Sequence, residues 1–460
     1  MPWLPVPLIL LLLASAAFVL GRRRAFSVAA ASGERLHSTA WYHGMLVALW
    51  CLIPALVISL LWLLFADSIL TRLVLQDLPR QMLARGAEQR TLLVNDLHNL
   101  LAGHVAGHNI DPVLRRAAAR YRALAATGRM LVAFLMLATA LLSASLVYFR
   151  IRPDLQARNR VEQVARAVLL LCSTIAVLSA IGIVLSILFE SIRFFRQVPL
   201  TDFLFGLKWS PQMAMRADQV GSSGSFGVVP VLAGTLLISA IALAVAVPVG
   251  LMSAIYLSEY AGPRLRAWAR PTMEILAGVP TVVYGFFAAL VVAPFIHDIG
   301  ARVGLDVSSE SALASGLVMG IMIIPSVSSL SDDVINAVPR SLRDGSYGLG
   351  ATRSETIIHV VLPAALPGIV GGILLAASRA IGETMIVVMA AGLAARLTAN
   401  PLEAVTTVTV QIVTLLAGDQ AFDSPRTLAA FALGLLLFVV TMALNMAAMY
   451  VVRRYREEYE

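Results

Sequence analysis

Of the 35 Lys and Arg residues in this 460-residue sequence, only Lys208 is a lysine. An ATP-driven motor needs a glycine-rich loop ending in lysine before serine or threonine, where backbone N–H groups and the ammonium hold phosphates. Lys208 stands in Gly-Leu-Lys-Trp, which is not such a loop, so this chain does not hydrolyse ATP. Any pumping would draw on a partner or an ion gradient. Cysteine is nearly as scarce. Cys51 and Cys172 both fall in apolar stretches and read as packing residues, implying neither a disulfide nor a cysteine metal site. Charged residues make up only 13% of the chain, too few for the surface of a soluble protein of this length. No basic stripe interleaved with aromatics exists for a nucleic-acid groove.

What the chain has is apolar surface: 59% hydrophobic residues, mean hydropathy +0.82, arranged in long runs. Nine runs are long enough to cross a bilayer. They cover roughly 3–20, 42–66, 130–149, 167–189, 227–257, 272–296, 311–329, 364–392 and 427–452. Arg22, Arg23 and Arg24 follow the first run rather than precede it, the reverse of a signal peptide's charge order. The positive-inside rule therefore predicts an uncleaved helix with its N-terminus outside. Strict alternation then places 21–41, 150–166, 258–271, 330–363 and 453–460 in the cytoplasm. Each carries arginines near a membrane end, such as Arg150/Arg152/Arg158/Arg160 and Arg264/Arg266/Arg270. The external loop 67–129 is also arginine-rich, but loops longer than about 60 residues largely escape the rule.

Two parts are expected: residues 1–160, with three spans, and residues 161–460, with six. Loop 67–129 predicts two amphipathic helices, 76–106 and 112–126, the second opened by Asp111-Pro112. His104 and His108 are four apart and would share a helical face, a spacing that can ligate a metal, although no further ligand stands at useful spacing. That face reads as solvated and polar, and no metal is expected.

Between the seventh and eighth runs, Pro339 should open a short amphipathic helix that Gly350 ends or kinks. A second short helix should run from about Arg353 to Val361, with Pro363 marking entry to the next span. Within that span, Arg379 and Glu383 are four apart, hence on one face of a helix. A mid-bilayer charge costs about 2.5–3.5 kcal/mol even on the insertion scale and usually faces a bundle interior or a water-filled path. The pair either braces two helices or puts Arg379 on a permeation path, lowering the barrier for an oxyanion, with Glu383 tuning or releasing it. Gly278-Val279-Pro280 and Pro294 read as helix interruptions, and Gly371-Gly372 as a close-packing site.

The loop Asp344-Gly345-Ser346, Gly350, Val360, Leu362-Pro363 resembles the conserved cytoplasmic loop of ABC-importer permeases, with Asp344-Gly345-Ser346 departing from that loop's Glu-Ala-Ala. The segments Asp202–Pro211, Phe226–Pro230, Gly234–Leu237, Tyr256–Ala261, Glu274–Gly285 and Ser378–Met385 look like the phosphate permeases of that class, of the PstC type. Arg35-Leu36-His37-Ser38 resembles the N-terminal extension of a longer variant. The resemblance implies an all-α polytopic membrane protein, a six-helix permease core plus three N-terminal transmembrane helices. It implies a coupling role for Asp344, Gly345, Ser346, Gly350, Leu362 and Pro363, and residence in the bacterial inner membrane. The implied partners are a second homologous permease subunit, an ATPase dimer holding ATP and Mg, and a periplasmic phosphate-binding protein. No cofactor is expected on this chain.

Three other readings compete. A permease for sulfate, molybdate or phosphonate would use the same Arg379. An ion-coupled secondary transporter predicts several intramembrane acids and an inverted repeat, whereas Glu383 is the one clear mid-span acid. A membrane sensor predicts a cytoplasmic signalling domain, for which the tail 453–460 is too short.

Overall fold

A computed structural model describes residues 5–76, 87–102, 112–211, 224–417 and 424–455. The described chain is helical almost throughout. We number its helices α1 (Pro5–Ser32), α2 (Ala40–Gln76), α3 (Ala87–Ala102), α4 (Pro112–Phe149), α5 (Ala157–Phe195), α6 (Leu200–Phe205) and α7 (Val229–Tyr260). There follow α8 (Pro263–Ala277), α9 (Thr281–Val303), α10 (Ala312–Ala337), α11 (Arg340–Gly348) and α12 (Arg353–Ile381). The last are α13 (Met385–Ala390), α14 (Val408–Leu416) and α15 (Pro425–Tyr455). The strand pair β1 (Trp209–Ser210) and β2 (Ser225–Phe226) is antiparallel. The chain forms two compact units, Met1–Val177 and Leu178–Glu460, which divide inside α5.

In the first unit, α1, α2 and α4 pack around Leu10, Ala17, Val47, Cys51, Val132 and Met136. Cys51 is thus a core packing residue, while Cys172 is exposed on α5. At 37 residues, α2 is about 55 Å long against about 30 Å of hydrocarbon, so its end projects beyond the bilayer. There Asp67 meets α3 and α4, and Val74, Leu97, Ala117 and Ala118 form a small separate core. The predicted helix 112–126 is not separate: it continues unbroken into the third span as α4, since no proline stands inside it and Gly128 alone does not end it. Of the predicted 76–106 helix, Ala87–Ala102 is described. His104 and His108 lie outside the described residues.

In the second unit α7 and α10 share the most extensive helix contact. Gly316 and Gly320, one turn apart, make this possible: a Cβ on Gly316 would lie 2.7 Å from Ile241 Cβ, and one on Gly320 2.9 Å from the Ala242 carbonyl. Small residues let backbones approach where lipid supplies no hydrophobic drive between helices. Gly371 against Val452 and Gly372 against Leu330 do the same for α12.

Eight helices among the described residues are long and apolar enough to span a membrane: α2, α4, α5, α7, α9, α10, α12 and α15. The predicted first run forms the front of α1, whose three arginines continue in the same helix. Two predicted spans are broken. Residues 272–296 split at Gly278-Val279-Pro280, leaving α8 as a separate amphipathic helix with no buried residue. Pro294 does not interrupt α9, because it follows a single π-helical turn, Ala288–Val292, whose widened bonding accommodates the missing N–H. The run 364–392 ends its helix at Ile381, and α13 starts afresh at Met385.

Two long-range polar contacts each join segments assigned to the same side. His37 N–H donates to the Pro153 carbonyl at 2.9 Å, joining two segments assigned to the cytoplasm. Trp209 Nε1 donates to Gln411 Oε1 at 2.8 Å, joining two assigned outside.

Candidate translocation site and coupling loop

Helices α8, α10 and α12 enclose a cavity of about 480 Å³ in the second unit. Arg379, near the end of α12, lines it, and its Nη1 donates to Ser326 Oγ at 3.1 Å. Ser328 also lines it, with a buried Oγ that has no hydrogen-bond partner. Toward the predicted cytoplasmic side, Arg270 is paired with Asp332, and Asn336 Nδ2 donates to Asp332 Oδ1 at 2.9 Å. Glu274 and Asp333 complete that end. Ser326 and Asp332 are six residues apart on α10, so about 9 Å separates the arginine's level from the acidic end.

Glu383 is not placed as its spacing predicted. The helix stops at Ile381, so Glu383 lies beyond it in non-helical backbone and forms no ion pair with Arg379. Instead its Oε1 accepts from Met385 N–H at 3.2 Å, and its carbonyl accepts from Thr409 Oγ1 at 2.8 Å. The acid caps a break in mid-span backbone. Such breaks are tolerated within a membrane only where protein or water satisfies the freed groups.

The residues expected to couple to an ATPase fall on two connected elements. Pro339 precedes α11, as predicted, and Asp344 and Gly345 are exposed on it. Gly350 has φ +87°, the left-handed region that an L side chain enters at a cost of about 1–2 kcal/mol. Gly350 N–H donates to the Tyr347 carbonyl at 2.9 Å and Ala351 N–H to the Ser346 carbonyl at 3.2 Å. These two bonds close the helix C-terminus in the Schellman pattern, which requires that conformation. Thr352 and Glu355 then form a reciprocal capping box that starts α12. The expected second short helix is not separate, because a π turn at Ile357–Val361 carries it straight into the span. Leu362 and Pro363 accordingly sit in the body of α12, Pro363 in a first-turn position relative to that π turn.

Two side chains of α11, Arg343 and Ser346, tie it to the membrane helices, and Arg353 at the start of α12 meets α7. Arg343 Nη2 lies 3.1 Å from Glu259 Oε1 at the end of α7, while donating to the Ile335 carbonyl at 2.6 Å. Both side chains are largely buried, and the carboxylate oxygen is held by charge without an aligned hydrogen bond. Ser346 Oγ and Thr356 Oγ1 are 2.9 Å apart, and the Arg353 guanidinium stacks 5.4 Å from the Tyr260 ring centre. Glu259 and Tyr260 sit in one π turn and Thr356 adjoins another. Beyond these anchors, Leu349 is 92% exposed and Tyr347 is exposed beside it.

Sequence reading did not single out Arg343, Glu259, Ser326 or the Arg270–Asp332 pair as site residues. Each partnership crosses between helices, and no spacing along one segment encodes it.

Two family profiles match. Residues 246–457 match the binding-protein-dependent transport system inner membrane component, and residues 7–179 match a profile described as phosphate ATP-binding cassette transporter. A probable ABC transporter permease of Bacillus subtilis is 31% identical over 65% of this chain and 93% of its own length. A phosphate transport system permease protein PstC of Mesorhizobium japonicum is 35% identical over 55% of this chain and 78% of its own. A solved bacterial alginate ABC transporter, in complex with its pentasaccharide-bound periplasmic protein, aligns over 64% of this chain and 98% of its own at 15% identity, with a TM-score of 0.43. The chain is a multi-pass inner-membrane transport component without ATPase chemistry of its own, and it belongs to the PstC family of ABC-transporter permease subunits.

Proposed function

We propose that this chain carries inorganic phosphate inward across the cytoplasmic membrane, powered by ATPase subunits that dock on α11. The observation that carries the reading is the cavity in which Arg379 meets Ser326. An anion leaving water loses solvation worth many kcal/mol. A fixed guanidinium about 4 Å away returns about 4 kcal/mol per unit charge at an effective dielectric of 20. Serine hydroxyls add donors that a phosphate oxygen can use. One arginine and a few hydroxyls make a waypoint, not a cage, as passage requires. Glu274 and Asp333, toward the cytoplasmic end, weaken the hold on an anion at Arg379 and set the height of its exit barrier.

The finer assembly belongs to the same proposal: a second permease subunit, two ATPase subunits holding ATP and Mg, and a periplasmic phosphate-binding protein. Leu349 and Tyr347, exposed in the Schellman turn, are the apolar knobs an ATPase groove would take. Arg343 against Glu259, and Ser346 against Thr356, would pass the motion to α7 and α12.

The test is uptake of radiolabelled phosphate by proteoliposomes holding the assembled complex. Uptake should require ATP and the binding protein, persist without an ion gradient, and withstand excess sulfate and molybdate. Uptake of sulfate at the phosphate rate would overturn the substrate, and uptake driven by an ion gradient without ATP would overturn the mechanism.

A further inference from the structure

The elbow between α4 and α5 holds a second, differently built hollow, wholly within the first unit. It has a volume of about 610 Å³ and is lined chiefly by Arg150, Arg152, Arg160, Asn159 and Asp154. The elbow is fixed in shape. His37 N–H bonds the Pro153 carbonyl at 2.9 Å, the Ser38 hydroxyl accepts from Arg158 N–H at 3.2 Å, and Ile151, Ala157 and Val161 are buried beneath it. Arg158 is committed elsewhere, to Glu162 at 2.6 Å and to the Tyr42 ring. Arg150, Arg152 and Arg160 have no side-chain hydrogen bond or ion pair among the described residues. Three uncommitted guanidiniums therefore share one hollow with a single carboxylate, Asp154. Arginine's planar fork suits phosphate oxygens in particular.

Its location selects the source of the phosphate. The hollow lies between the end of one membrane run and the start of the next, at headgroup depth on the arginine-rich side. Leu146 and Phe149 on α4 and Val168 and Leu169 on α5 flank it as exposed apolar surface. We infer that the elbow binds the phosphate headgroup of an anionic phospholipid, whose acyl chains lie along these flanking residues. A free anion in an open hollow is screened within about 8 Å at physiological salt. A lipid phosphate is already held at that depth by its chains, so its effective concentration there is high. The inference does not depend on which anion the permease carries.

The probe is phosphatidylglycerol, titrated into the delipidated full-length chain in detergent, with bound lipid counted by native mass spectrometry and phosphatidylcholine as reference. The wild type should prefer phosphatidylglycerol by at least about 10-fold, and the preference should shrink at high salt. R150Q/R152Q/R160Q should weaken phosphatidylglycerol binding by about 100-fold, at roughly fivefold per arginine. Asp154→Asn should strengthen it, and Arg302→Gln, on the opposite predicted side, should leave it unchanged. Should the triple glutamine variant not fold, R150K/R152K/R160K keeps the charge and should keep the preference. Equal binding of the two lipids by the wild type would overturn the inference without recourse to any variant. So would wild-type affinity in a folded triple glutamine variant. Displacement of phosphatidylglycerol by inorganic phosphate at equal phosphate concentration would assign the hollow to a free anion and equally overturn the lipid.

Discussion

Glu259→Gln is the sharpest perturbation of the coupling path. It keeps the shape of the side chain and removes the charge facing Arg343 at 3.1 Å. The Arg343 and Glu259 side chains are 17% and 7% exposed, so little water is available to replace the lost partner. Breaking a buried pair costs about 3–5 kcal/mol. Arg343 keeps its bond to the Ile335 carbonyl and some solvent, so the low end, about 3 kcal/mol, applies. That cost falls on the attachment of α11, which the Arg343–Ile335 and Ser346–Thr356 bonds would still hold. In proteoliposomes containing the whole complex, phosphate taken up per ATP hydrolysed should drop several-fold. Hydrogen exchange in 340–350 should rise. The charge swap E259R/R343E should recover part of both. Unchanged uptake per ATP with unchanged exchange in Glu259→Gln would refute the reasoning.

Gly350→Val should cost about 1–2 kcal/mol through the left-handed backbone alone, since nothing lies within 4 Å of its Cβ position. Membrane insertion should survive while uptake falls, as measured by protein level against transport. Gly320→Leu should instead destabilise the fold by several kcal/mol, because its Cβ would lie 2.9 Å from the Ala242 carbonyl; loss of monodisperse protein in detergent is the readout. In the first unit, His98 Nε2 lies 3.0 Å from Asp67 Oδ1, and Tyr121 OH donates to the same oxygen at 2.8 Å. The hydrogen bond to Asp67 raises the His98 pKa above its ordinary 6.5. The protonated form is thus favoured in the docked state, and this contribution is fully present below pH 6.5 and lost as pH rises through the folded value. Amide protection over 93–102 should fall as pH rises above 6.5, modestly because both side chains are solvated, and His98→Ala should flatten that dependence.

The spans were legible in the sequence because hydrocarbon thickness sets run length, and alternation along them correctly paired the segments that His37–Pro153 and Trp209–Gln411 join. Gly350 was legible too, since a Schellman turn needs a residue free to adopt φ +87°. What hydropathy could not show was where apolar backbone stops being helical. Residues 364–392 stay apolar through the break at Gly382, so Arg379 and Glu383 read as helical neighbours although the chain parts them. Likewise 353–361 read as a separate helix because Pro363 suggested a boundary, which the π turn absorbs. The Gly316–Gly320 spacing was a readable packing signal within α10 that marked its contact with α7. Arg343–Glu259 and Arg379–Ser326 join residues 84 and 53 positions apart, and no local pattern carries such pairings.

The central claim is that an anion passes Arg379. Arg379→Gln in the assembled complex, with phosphate uptake measured at saturating binding protein and ATP, tests it most directly. Loss of about 4 kcal/mol of stabilisation for a singly charged anion corresponds to roughly a thousandfold slower uptake. Arg379→Lys should retain part of the rate. Uptake by Arg379→Gln within a fewfold of wild type would remove this residue from the path and contradict the account.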